Sequence, residues 1–418
     1  MLAYGNQVTR KMLRHARQGL RYSMIRVLLV PSSDYLGHPF PQRCNQIFER
    51  LHDKRAFEVH AVRFRIFNEP KLKTNVIIHE LSNAPMGHFA FYYLMNMIRH
   101  ACEIRRIVRE ERIDIVVLSH LAAPFAYTLM DEVSKARVPV IFDLPDFFPT
   151  SATGYVSDLE SVGGKLLTGM FDAMLRYMLR HATAVTTASH ALAQYAMAIG
   201  GQRVVCIPNG ISECFFQLHD GVKMRGMLGF DQHDIVVGYI GSVEFWLDMR
   251  NFIKGIALTR KHGLPLKLLL VGKELHTDYP KKVKAMLETD IPGVTKWLDF
   301  VDHERLPEYV AALDIGAMPF NVHDPTAYYA APNKLWEYLS QRIPVISTPI
   351  PDAIFNKDVL YLARTPIDYA NSIERIVSGD PELEGKMERG RKQALERSWS
   401  NSSKLLSELI TEISDRSQ

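Results

Sequence analysis

Short apolar runs of strand length alternate with longer helical patterns along almost the whole chain. The runs in the first half lie at 26–30, 58–62, 75–79, 114–118, 138–142, 184–187 and 204–207, and those in the second half at 235–239, 266–271, 296–300, 315–318 and 344–347. Helical patterns separate most of them, such as 42–52, 91–111 and 165–181. This alternation is typical of α/β folds with parallel sheets. The sequence therefore predicts two successive α/β domains, with the turn at 208–210 and the segment 211–217 as their hinge.

Size and composition fit two ordinary globular domains. The chain has 418 residues, of which 47% are hydrophobic and 23% charged. Its net charge of +4 is small for this length and gives no argument for a nucleic-acid partner. No apolar run reaches the length of about 18 residues that a membrane span needs. The cysteines have neither a CxxC pair nor metal-ligand spacing, which is typical of reduced cytosolic thiols.

The first 23 residues form a basic extension that differs from the rest of the chain. Its arginines and Lys11 face no acidic residue, and apolar residues such as Leu13 and Leu20 lie between them. A membrane-surface helix attracted to anionic lipid is one interpretation. A disordered leader, or an upstream extension with translation starting at Met24, is favoured over it. No apolar segment follows, which argues against a secretory signal.

A loop, a short helix and a buried strand are predicted from Pro332 onwards. Pro332 suits the first helical turn. The unpaired N–H groups of the helix start, together with Lys334, would attract phosphate. Glu337 lies four residues after Asn333 and so on the same helix face, where its carboxylate can accept hydrogen bonds from ribose hydroxyls. An ordinary α/β crossover with a solvated Glu337 explains the same pattern.

Ligands of open α/β sheets bind beyond the carboxyl ends of the strands. In the first half, Gly37 follows the first strand and permits close backbone approach. The absence of GxGxxG weakens an oxidoreductase assignment. His120 follows the fourth strand, where it can polarise a hydroxyl or act as a base, or simply bond to the backbone. Asp143 and Asp146 follow the fifth strand, and they either orient hydroxyls, hold His120 or cap the next turn.

Residues suited to phosphate follow the strands of the second half as well. Gly241 and Ser242 come after its first strand and allow backbone approach to a diphosphate. Gly272 and Lys273 come after the second strand, where Lys273 is either a phosphate ligand or a solvated lysine. The loop 301–307 follows the third strand and has the geometry to hold a base edge through backbone hydrogen bonds.

Three stretches of the second half resemble the nucleotide-sugar domain of GT-B glycosyltransferases, particularly the GT4-like (group 1) family. They are VGYIGS at 237–242 with WLD at 246–248, LPEY at 306–309 leading to LDIGAMPF at 313–320, and PNKLWEYL at 332–339 with IPVIST at 343–348. In the first half, TTAS at 186–189 and IPNGI at 207–211 fit the same family. The resemblance spans about residues 24 to 400.

This resemblance implies a GT-B fold, in which two Rossmann-like domains face each other across a cleft. The expected division is an acceptor-binding domain at 24–214, a nucleotide-sugar-binding domain at 215–390 and a helix within 391–418 that returns to the first domain. The implied activity is that of a cytosolic hexosyltransferase which moves a sugar from a nucleotide-diphosphate donor to an acceptor hydroxyl. Retention of configuration, no bound metal and no further cofactor are also implied.

The predicted site follows from the motifs and the resemblance together. Catalysis is assigned to His120 and Asp146, and acceptor binding to Gly37, His38 and Arg43. Donor binding is assigned to Gly241, Ser242, Gly272, Lys273, Asp302, Leu306, Asn333, Lys334, Leu335 and Glu337. The acceptor is expected to be a saccharide or a lipid-linked molecule in polysaccharide or glycolipid assembly. The segments 89–97 and 99–109 either face an anionic membrane surface or form an amphipathic core helix, and the second alternative is favoured.

The chain departs from the family pattern at three positions. Tyr329 stands where the first acid of the family's glutamate pair is expected, with Glu337 as the second. Ser242 lies near an expected arginine, and Trp246 or Leu247 near an expected lysine. Either Lys273, Lys334 and the helix dipole replace these charges, or donor binding is weak. A non-catalytic, nucleotide-sugar-binding partner of an active transferase is therefore the alternative function. A phosphorylase or epimerase is less favoured, because no setting for a cofactor lysine is present.

Overall fold

The computed structural model describes residues 24–66, 69–82, 89–134, 138–272 and 277–417. The basic extension 1–23 and Lys273 lie outside these residues. The described chain forms two parallel sheets, each with helices on its faces, as the alternating pattern predicted. No helix among these residues has the length and apolar character needed to cross a bilayer.

The first sheet has seven strands in the order β3-β2-β1-β4-β5-β6-β7. The strands are β1 Ile25–Val30, β2 Phe57–Arg63, β3 Ile77–Glu80, β4 Ile115–Leu118, β5 Val140–Leu144, β6 Ala184–Thr187 and β7 Val204–Cys206. The helices are α1 Arg43–His52, α2 Phe89–Met95, α3 Met97–Glu110, α4 Ala122–Ser134, α5 Phe148–Gly154, α6 Val162–His181 and α7 His190–Ile199. Every residue of β4, β5 and β6 is buried, because helices cover both faces of the sheet.

The second sheet has six strands in the order β10-β9-β8-β11-β12-β13. The strands are β8 Ile235–Ile240, β9 Leu266–Val271, β10 Thr295–Leu298, β11 Ile315–Met318, β12 Val345–Ser347 and β13 Tyr361–Leu362. The helices are α8 Val222–Leu228, α9 Met249–Lys261, α10 Tyr279–Asp290, α11 Leu306–Ala311, α12 Pro325–Tyr328, α13 Asn333–Ser340, α14 Pro351–Phe355, α15 Pro366–Val377 and α16 Leu383–Glu396. The strand order reverses between β1 and β4 in the first sheet and between β8 and β11 in the second. Such a reversal leaves a crevice at the carboxyl ends of the strands.

The last helix, α17 (Trp399–Ser417), returns to the first domain and packs against α1. Its buried residues Leu406, Ile410 and Ile413 share one core with β1. The chain crosses between the domains at two adjacent places, since the Ile211 N–H donates to the Arg397 carbonyl over 2.8 Å. The preceding helix, α16, packs instead on α13 of the second domain.

Two details of the expected elements are wrong. The single helix expected at 91–111 is two helices, because helical geometry is interrupted at Asn96. This buried side chain donates from Nδ2 to the Tyr92 carbonyl at 2.9 Å, and its backbone lies outside helical geometry. The edge strand β13 was not predicted, since its two residues are too few to show a period.

Candidate active site

The start of helix α13 carries the densest group of predicted residues. The helix begins at Asn333 after Pro332, and no side chain caps its first turn. Its N–H groups are therefore available to an anion. The apolar stripe holds the helix down: Leu335 is fully buried, and the Tyr338 hydroxyl accepts a hydrogen bond from the Ile240 N–H at 2.9 Å. The Asn333 Oδ1 atom is buried and has no partner among the described residues.

Lys334 and Glu337 form a coupled pair on one face of α13. Burial lowers the pKa of Lys334, and the charge of Glu337 opposes this. Burial also raises the pKa of Glu337, and the charge of Lys334 opposes that. The Lys334 ammonium lies over the Tyr239 ring, 5.4 Å from its centroid. Among the described residues, the Glu337 carboxylate accepts no hydrogen bond, so its oxygens are available to a ligand.

Two glycines let the ends of β8 and β9 approach each other beside Lys334. Gly241 has a φ of +144°, a conformation that residues with a side chain rarely adopt. A Cβ on Gly272 would lie 2.1 Å from the Gly241 carbonyl oxygen. The Ser242 carbonyl accepts from the Tyr239 hydroxyl at 3.0 Å, which fixes the loop after Gly241. Gly241, Ser242 and Gly272 therefore form a surface beside Lys334, the glycine floor.

The loop between β10 and α11 leads into a second group of residues near α13. Asp302 is exposed and accepts from the Glu304 N–H at 3.2 Å, while Leu306 packs against the core of the second domain. Helix α11, which begins at Leu306, contacts α13. Burial raises the pKa of the Cys214 thiol to about 12, and the nearby charges of Glu304 and Glu337 add to this effect. The predicted base-binding loop and Glu337 thus lie near the same thiol.

His120 lines a cavity of about 180 Å³ in the first domain. The cavity walls are mainly apolar and aromatic, and the Tyr93 ring centroid lies 4.0 Å from that of His120. Burial, with a smaller contribution from the charge of His100, lowers the pKa of His120 to about 3. Its Nδ1 atom is buried without a partner in the described part of the chain. His120 is therefore a neutral imidazole at physiological pH.

Asp143 and Arg43 form a buried hub at the carboxyl edge of the first sheet. The Arg43 guanidinium donates to both carboxylate oxygens of Asp143, at 3.1 and 3.3 Å, and to the Asn209 Oδ1 at 2.8 Å. The hydroxyls of Ser119 and Thr186 donate to the same carboxylate at 3.2 and 2.7 Å. The Arg43 side chain is 9% exposed. Asp143 is thus fully engaged by these neighbours and does not hold His120.

Asp146 lies where the two domains meet. Burial raises the pKa of its carboxyl to about 6, although a hydrogen bond from the Phe147 N–H at 2.8 Å and one from Ser151 act in the opposite sense. The charge of Asp324, which caps α12 in the second domain, raises it further. Asp146 therefore changes charge close to neutral pH.

The predicted acceptor residues Gly37 and His38 lie in the turn after β1. The buried Gly37 donates its N–H to the Asp34 carbonyl at 3.4 Å. The His38 Nε2 atom is hydrogen-bonded to the Ser33 hydroxyl at 2.8 Å, and burial lowers the pKa of this histidine. These residues share the carboxyl edge of the first sheet with His120 and Asp143.

Several interdomain contacts were not predicted from the sequence. The rings of Tyr329 and Phe147 stack across the boundary, and the hydroxyls of Thr150 and Thr326 meet at 2.9 Å. The Phe245 ring lies directly against Gly154. The sequence did mark Tyr329 as a departure from the family, but it gave no sign of the partner that the ring would contact.

Two domains, each a parallel sheet with helices on its faces, have the architecture of the GT-B fold. Family models agree with this architecture: the glycosyl transferase 4-like domain matches residues 75–210, and the glycosyl transferases group 1 domain matches residues 234–378. The chain belongs to the group 1 glycosyltransferases. The resemblance seen in the sequence is thereby confirmed.

A curated relative supports the same family. The chain is 26% identical over 245 residues to TuaH of Bacillus subtilis, a protein named as a teichuronic acid biosynthesis glycosyltransferase. The match covers 57% of this chain and 58% of the relative, so it spans little more than half of TuaH.

Solved structures share the fold at low sequence identity. HepE of Anabaena, in complex with UDP-glucose, is 16% identical with a TM-score of 0.67, and the match covers 93% of this chain and 100% of that one. Sucrose-phosphate synthase of Thermosynechococcus elongatus is 15% identical with a TM-score of 0.71, covering 93% and 99%. WaaG, a glycosyltransferase involved in lipopolysaccharide biosynthesis, is 13% identical with a TM-score of 0.65, covering 93% and 100%. The GT-B fold predicted from the motifs is confirmed.

Proposed function

We propose that the protein transfers a hexose from a nucleotide-diphosphate sugar to an acceptor hydroxyl. The observation that carries this proposal is the pair of Lys334 and Glu337 on the uncapped first turns of α13, beside the glycine floor. A cation and free N–H groups suit a diphosphate, and a carboxylate with unused acceptor sites suits the two ribose hydroxyls. Membership of a glycosyltransferase family supports the same reaction.

Each donor group has a place in this arrangement. The diphosphate lies against the N–H groups of 333–335 and the loop at Gly241 and Ser242, with Lys334 as its countercharge. The ribose contacts Glu337. The base lies along the loop that contains Asp302 and Leu306. Gly272 shapes the floor, and Lys273, which is outside the described residues, remains a predicted second cation.

His120 and Asp146 are proposed to act at the sugar end. A neutral imidazole donates or accepts one hydrogen bond without carrying charge, so His120 orients a hydroxyl of the donor sugar or the acceptor. Asp146 has its raised pKa near neutral pH, which suits a group that accepts a proton from the acceptor hydroxyl. Gly37 and His38 lie on the acceptor side. Arg43 is assigned to positioning, because its guanidinium is already bound to Asp143 and Asn209.

The names of two similar proteins support a role in polysaccharide or glycolipid assembly. TuaH is named for teichuronic acid and WaaG for lipopolysaccharide biosynthesis. We therefore infer a saccharide or lipid-linked acceptor. Retention of configuration rests on the family resemblance, and proton NMR of the anomeric coupling in the product tests it. Independence from metal is supported by the charge of Lys334 at the helix start, and unchanged turnover in EDTA tests it.

A cytoplasmic protein with peripheral membrane contact is the proposed localisation. Its four cysteines are all unpaired, as expected of a reducing compartment. Met95 and Ile98 are 66% and 55% exposed, and Arg99, Arg106 and Arg109 are exposed on the same helix as Ile98. Apolar side chains beside arginines suit an anionic bilayer surface. Sedimentation with phosphatidylglycerol vesicles, compared with phosphatidylcholine vesicles, tests this contact for the full chain and for Met95→Ser/Ile98→Ser.

Calorimetric titration with UDP-, GDP- and ADP-sugars, followed by a transfer assay on acceptor extracts, tests the proposed reaction. We expect one nucleotide sugar to bind and its sugar to be transferred to an acceptor. Binding without transfer or hydrolysis, in every extract, would instead favour the non-catalytic partner. Binding unaffected by Glu337→Ala would contradict the placement of the donor.

A further inference from the structure

The first domain holds the segment 329–331, which ends two residues before helix α13. The Tyr329 carbonyl accepts from the Ser189 hydroxyl at 2.8 Å, and the Ala331 carbonyl accepts from the Asn209 Nδ2 at 3.3 Å. Asn209 is itself fixed by Arg43. Helix α13 begins two residues after Ala331, so its N-terminus is positioned from across the domain boundary.

The Tyr329 ring extends the same attachment into the first domain. It stacks on Phe147 with centroids 4.9 Å apart and planes at 28°, and it lies 5.4 Å from the Tyr195 ring. The ring also packs against the apolar core of the first domain. Burial raises the pKa of Tyr329, so its ring meets Phe147 and Tyr195 in the neutral form.

The position of Tyr329 in the chain makes this attachment relevant to the donor site. On its N-terminal side lies α12, whose Thr326 hydroxyl meets that of Thr150 at 2.9 Å in a buried contact. On its C-terminal side lies the start of α13. Tyr329 is half-buried, and a carboxylate at this position would lie against the Phe147 and Tyr195 rings, where its charge is less well solvated than in water. A tyrosine at this position therefore serves packing rather than contact with a sugar.

We propose that Tyr329 is a positioning residue that couples closure of the two domains to the geometry of the donor helix. With the ring seated on Phe147, the segment 329–331 is held and the N–H groups of α13 are presented in one arrangement. With the ring displaced, the domains separate and the helix start loses its external support. The inference rests on the proposed function for the identity of the ligand, but the closure itself does not depend on it.

A cysteine pair at the neighbouring contact measures closure directly. Thr150→Cys and Thr326→Cys together place two thiols where the hydroxyls now touch, so oxidation of the closed form joins the domains. Each single cysteine variant controls for Cys102, which is exposed. We expect Tyr329→Ala to slow this cross-link about tenfold or more, as a shift towards the open form requires. Tyr329→Phe should cross-link at the parent rate, since the ring is retained.

Tyr328→Ala is the matched control, because it removes a neighbouring ring that is 44% exposed and keeps the Tyr329 ring that stacks on Phe147. Circular dichroism checks that each variant is folded. If Tyr329→Ala is unfolded, Phe147→Leu removes the same stack from the other side. A parent cross-linking rate in a folded Tyr329→Ala or Phe147→Leu protein overturns the proposal.

Kinetics add a readout that a purely structural role would not move. We expect Tyr329→Ala to raise the donor KM and lower kcat, with both restored in Tyr329→Phe and unchanged in Tyr328→Ala. A KM and kcat equal to the parent values in Tyr329→Ala would overturn the coupling. Cross-linking needs no donor. If the parent protein transfers no sugar but Tyr329→Ala still slows the cross-link, the proposed reaction is refuted and the closure role stands.

Discussion

The Lys334 side chain occupies the space that any side chain on Gly241 would need. A Cβ built on Gly241 would lie 2.4 Å from the Lys334 Cε and 2.6 Å from its Nζ. The loop after β8 and the cation at the start of α13 therefore fit together only if position 241 is a glycine. The VGYIGS motif at 237–242 and the PNKLWEYL motif at 332–339 therefore meet at this contact.

Gly241→Ala is expected to displace the Lys334 ammonium and weaken nucleotide-diphosphate binding. The loss should reach about tenfold or more, because one good charge-assisted contact is worth about 1.5–3 kcal/mol. Isothermal titration with the donor measures it. Gly263→Ala is the control, since Gly263 also has a positive φ, of +95°, but has open space around it. Equal donor affinity in the two alanine variants would contradict the account.

Glu337→Gln is expected to reduce affinity for the nucleoside part of the donor, because the amide offers one acceptor oxygen where the carboxylate offers two. Glu388→Gln, on the exposed face of α16, is the control. The pH dependence has a defined sign. Since burial raises the pKa of Glu337, its charge is lost at a higher pH than usual, and donor affinity should fall there as pH falls. Calorimetry from pH 8 to pH 5 should show this fall in the parent and not in Glu337→Gln.

The sequence predicted the fold and the position of helix α13 well, because both depend on local periodicity. Apolar runs set the strands, and the four-residue spacing of Asn333 and Glu337 placed both on one face of α13. The interdomain contacts could not be predicted in the same way. Phe147 and Tyr329 are 182 positions apart, and no pattern in one sequence pairs residues across a domain boundary.

Arg43 illustrates a different limit. A basic residue at the carboxyl edge of a sheet suits an acceptor, and the sequence cannot reveal that Asp143 has already bound it. The same holds for His120, whose position could be predicted from the sequence but whose pKa could not. Protonation depends on the rings around the imidazole, and these come from α2 (Tyr93), α3 (His100), α5 (Phe148) and the residue that follows β2 (Phe64).

Asp146 should make stability depend on pH between about 4 and 6. The unfolded carboxyl ionises near its ordinary value of 3.8, whereas the folded one holds its proton to about 6. Its stabilising contribution is therefore present below pH 3.8 and lost as pH rises through 6. Two pKa units correspond to about 2–3 kcal/mol. Urea unfolding at pH 4 and pH 7 should show that the pH-induced loss is smaller by that amount in Asp146→Asn than in the parent. An equal loss in both would refute the assignment.

His120→Asn is expected to lower kcat without changing the shape of its pH profile. Because the pKa of His120 is about 3, the imidazole stays neutral throughout the assay range. We expect the acid limb of the profile to come instead from Asp146 and to disappear in Asp146→Asn. His120→Ala should be slower than His120→Asn, since only the amide can replace a hydrogen bond. An acid limb that disappears in His120→Asn would show that the histidine titrates after all.

Gly154→Ala is expected to hold the domains apart. A Cβ on this residue would lie 2.2 Å from the Phe245 ring of the second domain, so the methyl group and the ring cannot both keep their places in the closed form. Small-angle scattering should show a larger radius of gyration, and kcat should fall, because the donor and the acceptor are then bound on separated surfaces. Gly169→Ala, in the middle of α6 with open space around it, is the control for a helical glycine. Gly154→Ala/Phe245→Ala should recover the parent radius, since the smaller side chain makes room for the methyl group. A double variant as extended as Gly154→Ala alone would place the cause of the opening elsewhere than at this contact.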